Sequence, residues 1–178
     1  SPFLLWRKRI VWLLVLFIAA AYTGTVMQAF EDELEAVVVL AFFIPLLIGT
    51  GGNTGTQITT TLIRAMSIDG VRLRDIGKVL RKEMATGALV AGTMAAAGLL
   101  RAWTLGVGVP VMITVSVALV AIVLWSSFIA SVIPLLLKKL RVDPAVVSGP
   151  MISTIVDGTG LIIYFSTAKL LLPELAGL

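Results

Sequence analysis

Five long apolar runs, one after another, constrain this chain more than any other feature. They cover about Ile10–Ala29, Ala36–Arg64, Met84–Leu100, Val111–Leu137 and residues 145–172. Each falls in or above the range of about 17–25 residues that a helix needs to cross a bilayer's hydrocarbon. Backbone N–H and C=O groups find no water there, and a helix pairs them within a single segment. The composition agrees: 58% of the 178 residues are hydrophobic and 13% charged, a balance that excludes an ordinary water-soluble domain. The expected fold is an all-α membrane protein of five transmembrane helices, with residues 1–178 forming one domain. The first run is followed by four others, so it is not read as a cleaved signal peptide.

Charge sets the orientation. With five spans and the N-terminus in the cytoplasm, twelve of the fourteen Lys and Arg residues fall inside, leaving Arg101 and Lys169 outside. The positive-inside rule therefore predicts an N-terminus inside and a C-terminus outside. Trp6, Trp12 and Trp103 lie where interfacial anchors are expected. Glu31, Asp32, Glu33 and Glu35 then form an outer acidic loop, read either as a solvated turn or as a vestibule that concentrates cations. Inside, residues 64–83 carry Arg72, Arg74, Lys78, Arg81 and Lys82 with Leu73, Ile76, Val79 and Leu80, the pattern of a short interfacial helix. Lys169 is placed to snorkel from the far end of the last span. The chain has no Cys and no His, which excludes disulfides, thiolate metal sites and the usual proton shuttle.

Within this apolar setting two stretches are polar. The first is the second half of the second run, whose Pro45, Gly49, Gly51, Gly52 and Gly55 predict an interrupted helix. If helical, Asn53, Thr56, Gln57, Thr60 and Arg64 share one stripe, which Gly49 and Gly52 extend. Small residues alone would mean close helix packing. Buried amides need partners or a wet cavity, so the stripe is read as pore lining. The second stretch surrounds Asp157, near the middle of the last run. A carboxylate near a bilayer midplane costs roughly 2.5–3.5 kcal/mol and faces a polar cavity, a partner or an ion. Ser153 lies four residues away on the same helix face, with Thr154 and Gly160 three residues to either side of Asp157. Asp143 and Pro144 are expected to cap this helix, and Pro150 to free the carbonyl of Val146. Carboxylate, hydroxyls and bare carbonyl make a ligand set for a hard cation.

The stretches Pro45-Leu46-Leu47-Ile48-Gly49-Thr50-Gly51-Gly52-Asn53-Thr54-Gly55-Thr56-Gln57 and 143–157 together resemble the transmembrane domain of the MgtE-type magnesium channels. The resemblance covers nearly the whole chain. It implies a homodimer with the ion path on the dimer axis, lined by the second and fifth segments of both subunits. The implied lining is Gly49, Gly52, Asn53, Thr56 and Gln57 from the second segment, and Gly149, Ser153, Thr154 and Gly160 from the fifth. Asp157 is the implied metal-binding carboxylate, holding Mg²⁺ largely through retained water. Family members often have an amide where this chain has Thr56. Full-length members also carry a cytosolic N-terminal domain and paired CBS domains that sense magnesium. These are not expected within this chain, which starts Ser-Pro and reads as a trimmed piece of a longer protein or a short member.

The residues fit that expectation on their own terms. Mg²⁺ sheds water reluctantly, so few charges, many oxygens and some width suit it, with Mn²⁺ or Co²⁺ as other candidate cargoes. The rival reading is an ion-coupled secondary transporter, which a broken second helix would suit. Asp157-Gly158-Thr159-Gly160 superficially suggests an aspartyl protease, but that chemistry needs two carboxylates sharing a proton, and the chain is not expected to be an enzyme. The expected location is the cell (inner) membrane, as a multi-pass protein surrounded by lipid.

Overall fold

In a computed structural model, which describes residues 1–142 and 149–178, the chain is helical throughout its spans. The order is α1 (Pro2–Ala29), a short α2 (Glu31–Ala36), a 3₁₀ stretch (Val38–Phe43), α3 (Ile44–Ile68), a 3₁₀ turn (Leu73–Asp75), α4 (Ile76–Leu105), α5 (Val109–Lys139), α6 (Gly149–Leu171) and a last 3₁₀ turn (Pro173–Leu175). Five of these segments are long and apolar enough to cross a membrane. The expected caps Asp143 and Pro144, and the carbonyl of Val146, lie outside the described residues.

α5 is the central helix and packs against α3, α4 and α6. Contacts between glycines and their neighbours give the directions. Gly51 and Gly55 of α3 meet Ile122 and Ser126 of α5 in rising order, so these helices run parallel. Gly52 meets Ser153 and Gly55 meets Ile152, so α3 and α6 run antiparallel. Gly87 meets Ser127 and Gly98 meets Leu119, which makes α4 and α5 antiparallel as well. Both arrangements are what alternating membrane crossings require. The main core, from Leu40, Phe43, Ile44 and Leu47 through Val115 and Leu119 to Leu161, Tyr164 and Phe165, sits toward the end that carries α2.

α1 stands at the edge. None of its described residues is fully buried, and Phe17 and Ile18 are among its exposed apolar side chains. It packs on α6, where Phe30 stacks on Phe165 with ring centroids 5.0 Å apart.

The helix boundaries differ from the sequence-based expectations in four places. The second span is not interrupted at its glycines: α3 is continuous from Ile44 to Ile68, and the irregular part is the 3₁₀ stretch ahead of Pro45. Neighbouring helices fill the space beside Gly51 and Gly55, which offsets their low helix propensity. The basic linker does not form a separate interfacial helix, because α4 starts at Ile76 and continues into the third span. Pro134 suggests a kink or break near the end of the fourth span, but α5 stays helical through it to Lys139. The acidic loop is the helix α2, and Glu33 in it is buried, with Lys169 Nζ 3.5 Å from its Oε1. Lys169 thus has a carboxylate partner on α2.

Candidate functional site

A cleft of about 330 Å³ lies between α3 and α6, lined by Pro45, Ile48, Gly49, Gly52, Asn53, Ser153 and Asp157. Its walls follow from the helix crossing. Gly52 is buried against α6, and a β-carbon there would stand 3.0 Å from Ser153 Oγ. Gly49, one turn earlier, has nothing within 4 Å of that position, so the helices diverge and leave space. Asp157 is the one ionisable side chain in the described lining, with the Asn53 amide and the Ser153 hydroxyl near it. Among the described residues, no three Asp, Glu, His or Cys side chains cluster to enclose an ion. The cleft therefore offers one charge, neutral oxygens and width, which is a setting for an ion that keeps its water.

Five of the ten residues singled out from the sequence line this cleft together: Gly49, Gly52, Asn53, Ser153 and Asp157. Thr56 and Gly149 sit just beyond it at the helix crossing. Thr56 Oγ1 is 3.5 Å from Ser153 Oγ, and its methyl would be 2.8 Å from a β-carbon on Gly149. Gln57 is exposed on the same outward face of α3 as Asn53, Thr60 and Arg64. Thr154 donates its hydroxyl hydrogen back along α6 to the Pro150 carbonyl at 2.8 Å. Gly160 is buried with its open side toward Ile122 of α5, outside the cleft.

The turn of α6 that carries Asp157 is braced by two side chains that the sequence reading did not single out as functional. Tyr22 of α1 donates its hydroxyl hydrogen to the carbonyl of Thr154 at 2.6 Å or to that of Ile155, and accepts from the Gly158 N–H at 3.0 Å. Gly158 is required there, because the Tyr22 ring occupies the space of a β-carbon. From α5, Trp125 Nε1–H donates to Thr159 Oγ1 at 2.9 Å, and Thr159 in turn donates to the Ile155 carbonyl at 2.7 Å. The available signal was chemical: Tyr and Trp in the middle of apolar runs need partners for their polar tips. α3 is held in the same way, since Ser126 of α5 donates to the Gly51 carbonyl at 2.6 Å.

The chain is similar to known proteins over most of its length. The family model MgtE, described as a divalent cation transporter, matches residues 44–167, which include α3 and most of α6. A protein named magnesium transporter MgtE from Thermus thermophilus is 44% identical over 173 residues, 97% of this chain and 38% of its own length. Proteins of the same name are 34% identical in Bacillus subtilis and 33% in Enterococcus faecalis, over 90% and 92% of this chain. The chain thus spans between 36% and 38% of the length of these relatives. With the match running from the first residue of α3 nearly to the end of α6, this five-span membrane chain belongs to the MgtE family of divalent cation transporters.

Proposed function

We propose that this chain is the pore of a magnesium transporter, passing hydrated Mg²⁺ between two copies of itself with Asp157 as the selecting carboxylate. The cleft carries this reading: one acid, one amide and one hydroxyl meet on the outward polar side of the α3–α6 pair. Asn53, Gln57, Thr60 and Arg64 are exposed on a single chain, at positions where lipid would leave the amides unpaired. A second copy related by a two-fold axis covers this face and brings two carboxylates toward one path. Two charges attract a divalent cation, while the width of the cleft leaves its inner water in place. The Asn53 amide and Ser153 hydroxyl hold that water. Binding by two charges without direct encirclement stays weak enough for the ion to leave.

The same face takes Mn²⁺ or Co²⁺ as secondary cargo, since its donors are oxygens. The basic ends of α1, α3, α4 and α5 face the cytoplasm in this reading, with the N-terminus inside and the C-terminus outside. Cytosolic regulatory domains of the CBS type, in a longer chain, are the partners that close the path. The continuity of α3 through its glycines speaks for a channel, because the unwinding there that would suit a coupled carrier is not found; the irregular part of this span is the 3₁₀ stretch ahead of α3.

Growth of a magnesium-auxotrophic strain tests the assignment. The parent chain is expected to restore growth at low magnesium, and Asp157→Ala and Asp157→Asn to fail while still reaching the membrane. Full rescue by Asp157→Asn would show that charge at this position is not needed and would overturn the reading. Influx into proteoliposomes that persists without a sodium or proton gradient separates channel from carrier.

A further inference from the structure

We propose that Tyr22 is a positioning residue for the ion site: its hydroxyl, carried on α1, is spliced into the turn of α6 that bears Asp157 and fixes where that carboxylate points. The inference rests on the reading of Asp157 as the selecting group and deepens it.

The geometry is specific. In an α-helix the Gly158 N–H points toward the Thr154 carbonyl, four residues earlier. Tyr22 places its oxygen between these groups, accepting from Gly158 N–H at 3.0 Å and donating to Thr154 O at 2.6 Å or to the carbonyl of Ile155. A side chain inserted into the i→i−4 ladder bends or opens a helix locally. Asp157 lies inside the turn so affected. The same turn is also tied to α5: Trp125 donates to Thr159 at 2.9 Å, and Thr159 donates at 2.7 Å to the Ile155 carbonyl that Tyr22 also reaches. α6 is therefore held at the level of the carboxylate by both α1 and α5. Turning α6 by about 20° would swing a side-chain group near the helix's outer radius by about 2 Å, enough to change how a hydrated ion is met.

The hydroxyl is not what holds α1 in place. Phe30 stacks on Phe165, and Val26 and Met27 pack on the main core. The Tyr22 ring itself fills the notch left by Gly158. Removing only the oxygen leaves these apolar contacts intact, so the polar splice has a separate effect from helix docking.

The test uses the full chain in proteoliposomes containing a Mg²⁺-sensitive dye. Tyr22→Phe is expected to keep the elution volume in detergent and to lower the melting temperature only by the small amount that a lost interhelical hydrogen bond carries. It should raise the Mg²⁺ concentration for half-maximal influx about five- to tenfold, the size of one or two lost hydrogen bonds, with maximal influx little changed. Thr159→Val, which removes the brace from α5 without touching α1, carries the same expectation and serves where Tyr22→Phe folds poorly. Tyr22→Phe combined with Asp157→Asn should behave as Asp157→Asn alone. A lowered melting temperature with an unchanged half-maximal concentration would mean a purely structural tether and would overturn the proposal. Unchanged influx in Tyr22→Phe and Thr159→Val, with influx lost in Asp157→Asn, overturns the positioning role and leaves Asp157's role standing. Parental influx in Asp157→Asn overturns both.

Discussion

Gly49 and Gly51 sit two residues apart on α3 and answer differently to the same added methyl. At Gly51 a β-carbon would lie 2.7 Å from Val156 Cγ1 and 2.8 Å from Ile122 Cγ2, both on packed helices. Gly51→Ala is expected to cost about 1–3 kcal/mol, as overpacking does, and to lower the melting temperature in detergent. Gly49 has open space on that side and lines the cleft. Gly49→Ala should leave stability unchanged or raised by about 0.5–1 kcal/mol, from better helix propensity. It should nonetheless reduce Mg²⁺ influx, because the methyl stands in the proposed path. Melting curves and dye influx on the same two samples check both statements. Parental influx in Gly49→Ala would place the path elsewhere.

Between elements, a few hydroxyls and, among the described residues, one ion pair add to the apolar packing of the helices. Ser126 donates to the Gly51 carbonyl at 2.6 Å and is fully buried. Interhelical hydrogen bonds in membranes are worth about 0.6 kcal/mol on average and up to about 1.7. Ser126→Ala is expected to lose an amount in that range, read as a lower melting temperature, without altering which ion is carried. The end of the bundle that carries α2 is tied by Glu33 on α2 and Lys169 on α6. Glu33 is buried, whereas the Lys169 side chain is 36% exposed, so the two partners are unequal. Lys169→Met strands a buried carboxylate and should cost about 1–3 kcal/mol, whereas Glu33→Gln leaves the ammonium free to reach water and should cost less. Equal losses in the two variants would contradict the asymmetry.

At the scale of the whole molecule, a single chain leaves a polar face where lipid would be. Because the sequence contains no Cys, single cysteines report on that face without background. Asn53→Cys is expected to form disulfide-linked dimers on mild oxidation in membranes, since the proposed two-fold arrangement would bring this exposed residue near its counterpart. Leu89→Cys, on the outward side of α4 and 76% exposed, should remain monomeric under the same treatment. Cross-linking at Leu89 in preference to Asn53 would move the dimer contact away from the cleft.

The sequence by itself determined the number of spans, because hydrocarbon leaves no alternative to helices for apolar runs of this length. It also marked Asp157, Asn53 and the glycines of α3, because a charge and amides in such runs carry a cost that demands a reason. It could not say that the α3 glycines would stay helical, since that depends on Ile122, Val156 and Ile152 filling the space beside them. Nor could it separate Ser153, which faces the cleft, from Thr154, which bonds within its own helix, or from Gly160, which faces α5. Helical periodicity groups residues on a face but leaves open which neighbour that face meets. The braces at Asp157 were the least legible: Tyr22 lies 132 residues from Thr154 and Trp125 lies 34 from Thr159. Such pairs are chosen by how helices cross and how closely they approach. Only the packed bundle decides that, by letting an aromatic ring fit where Gly158 has no side chain.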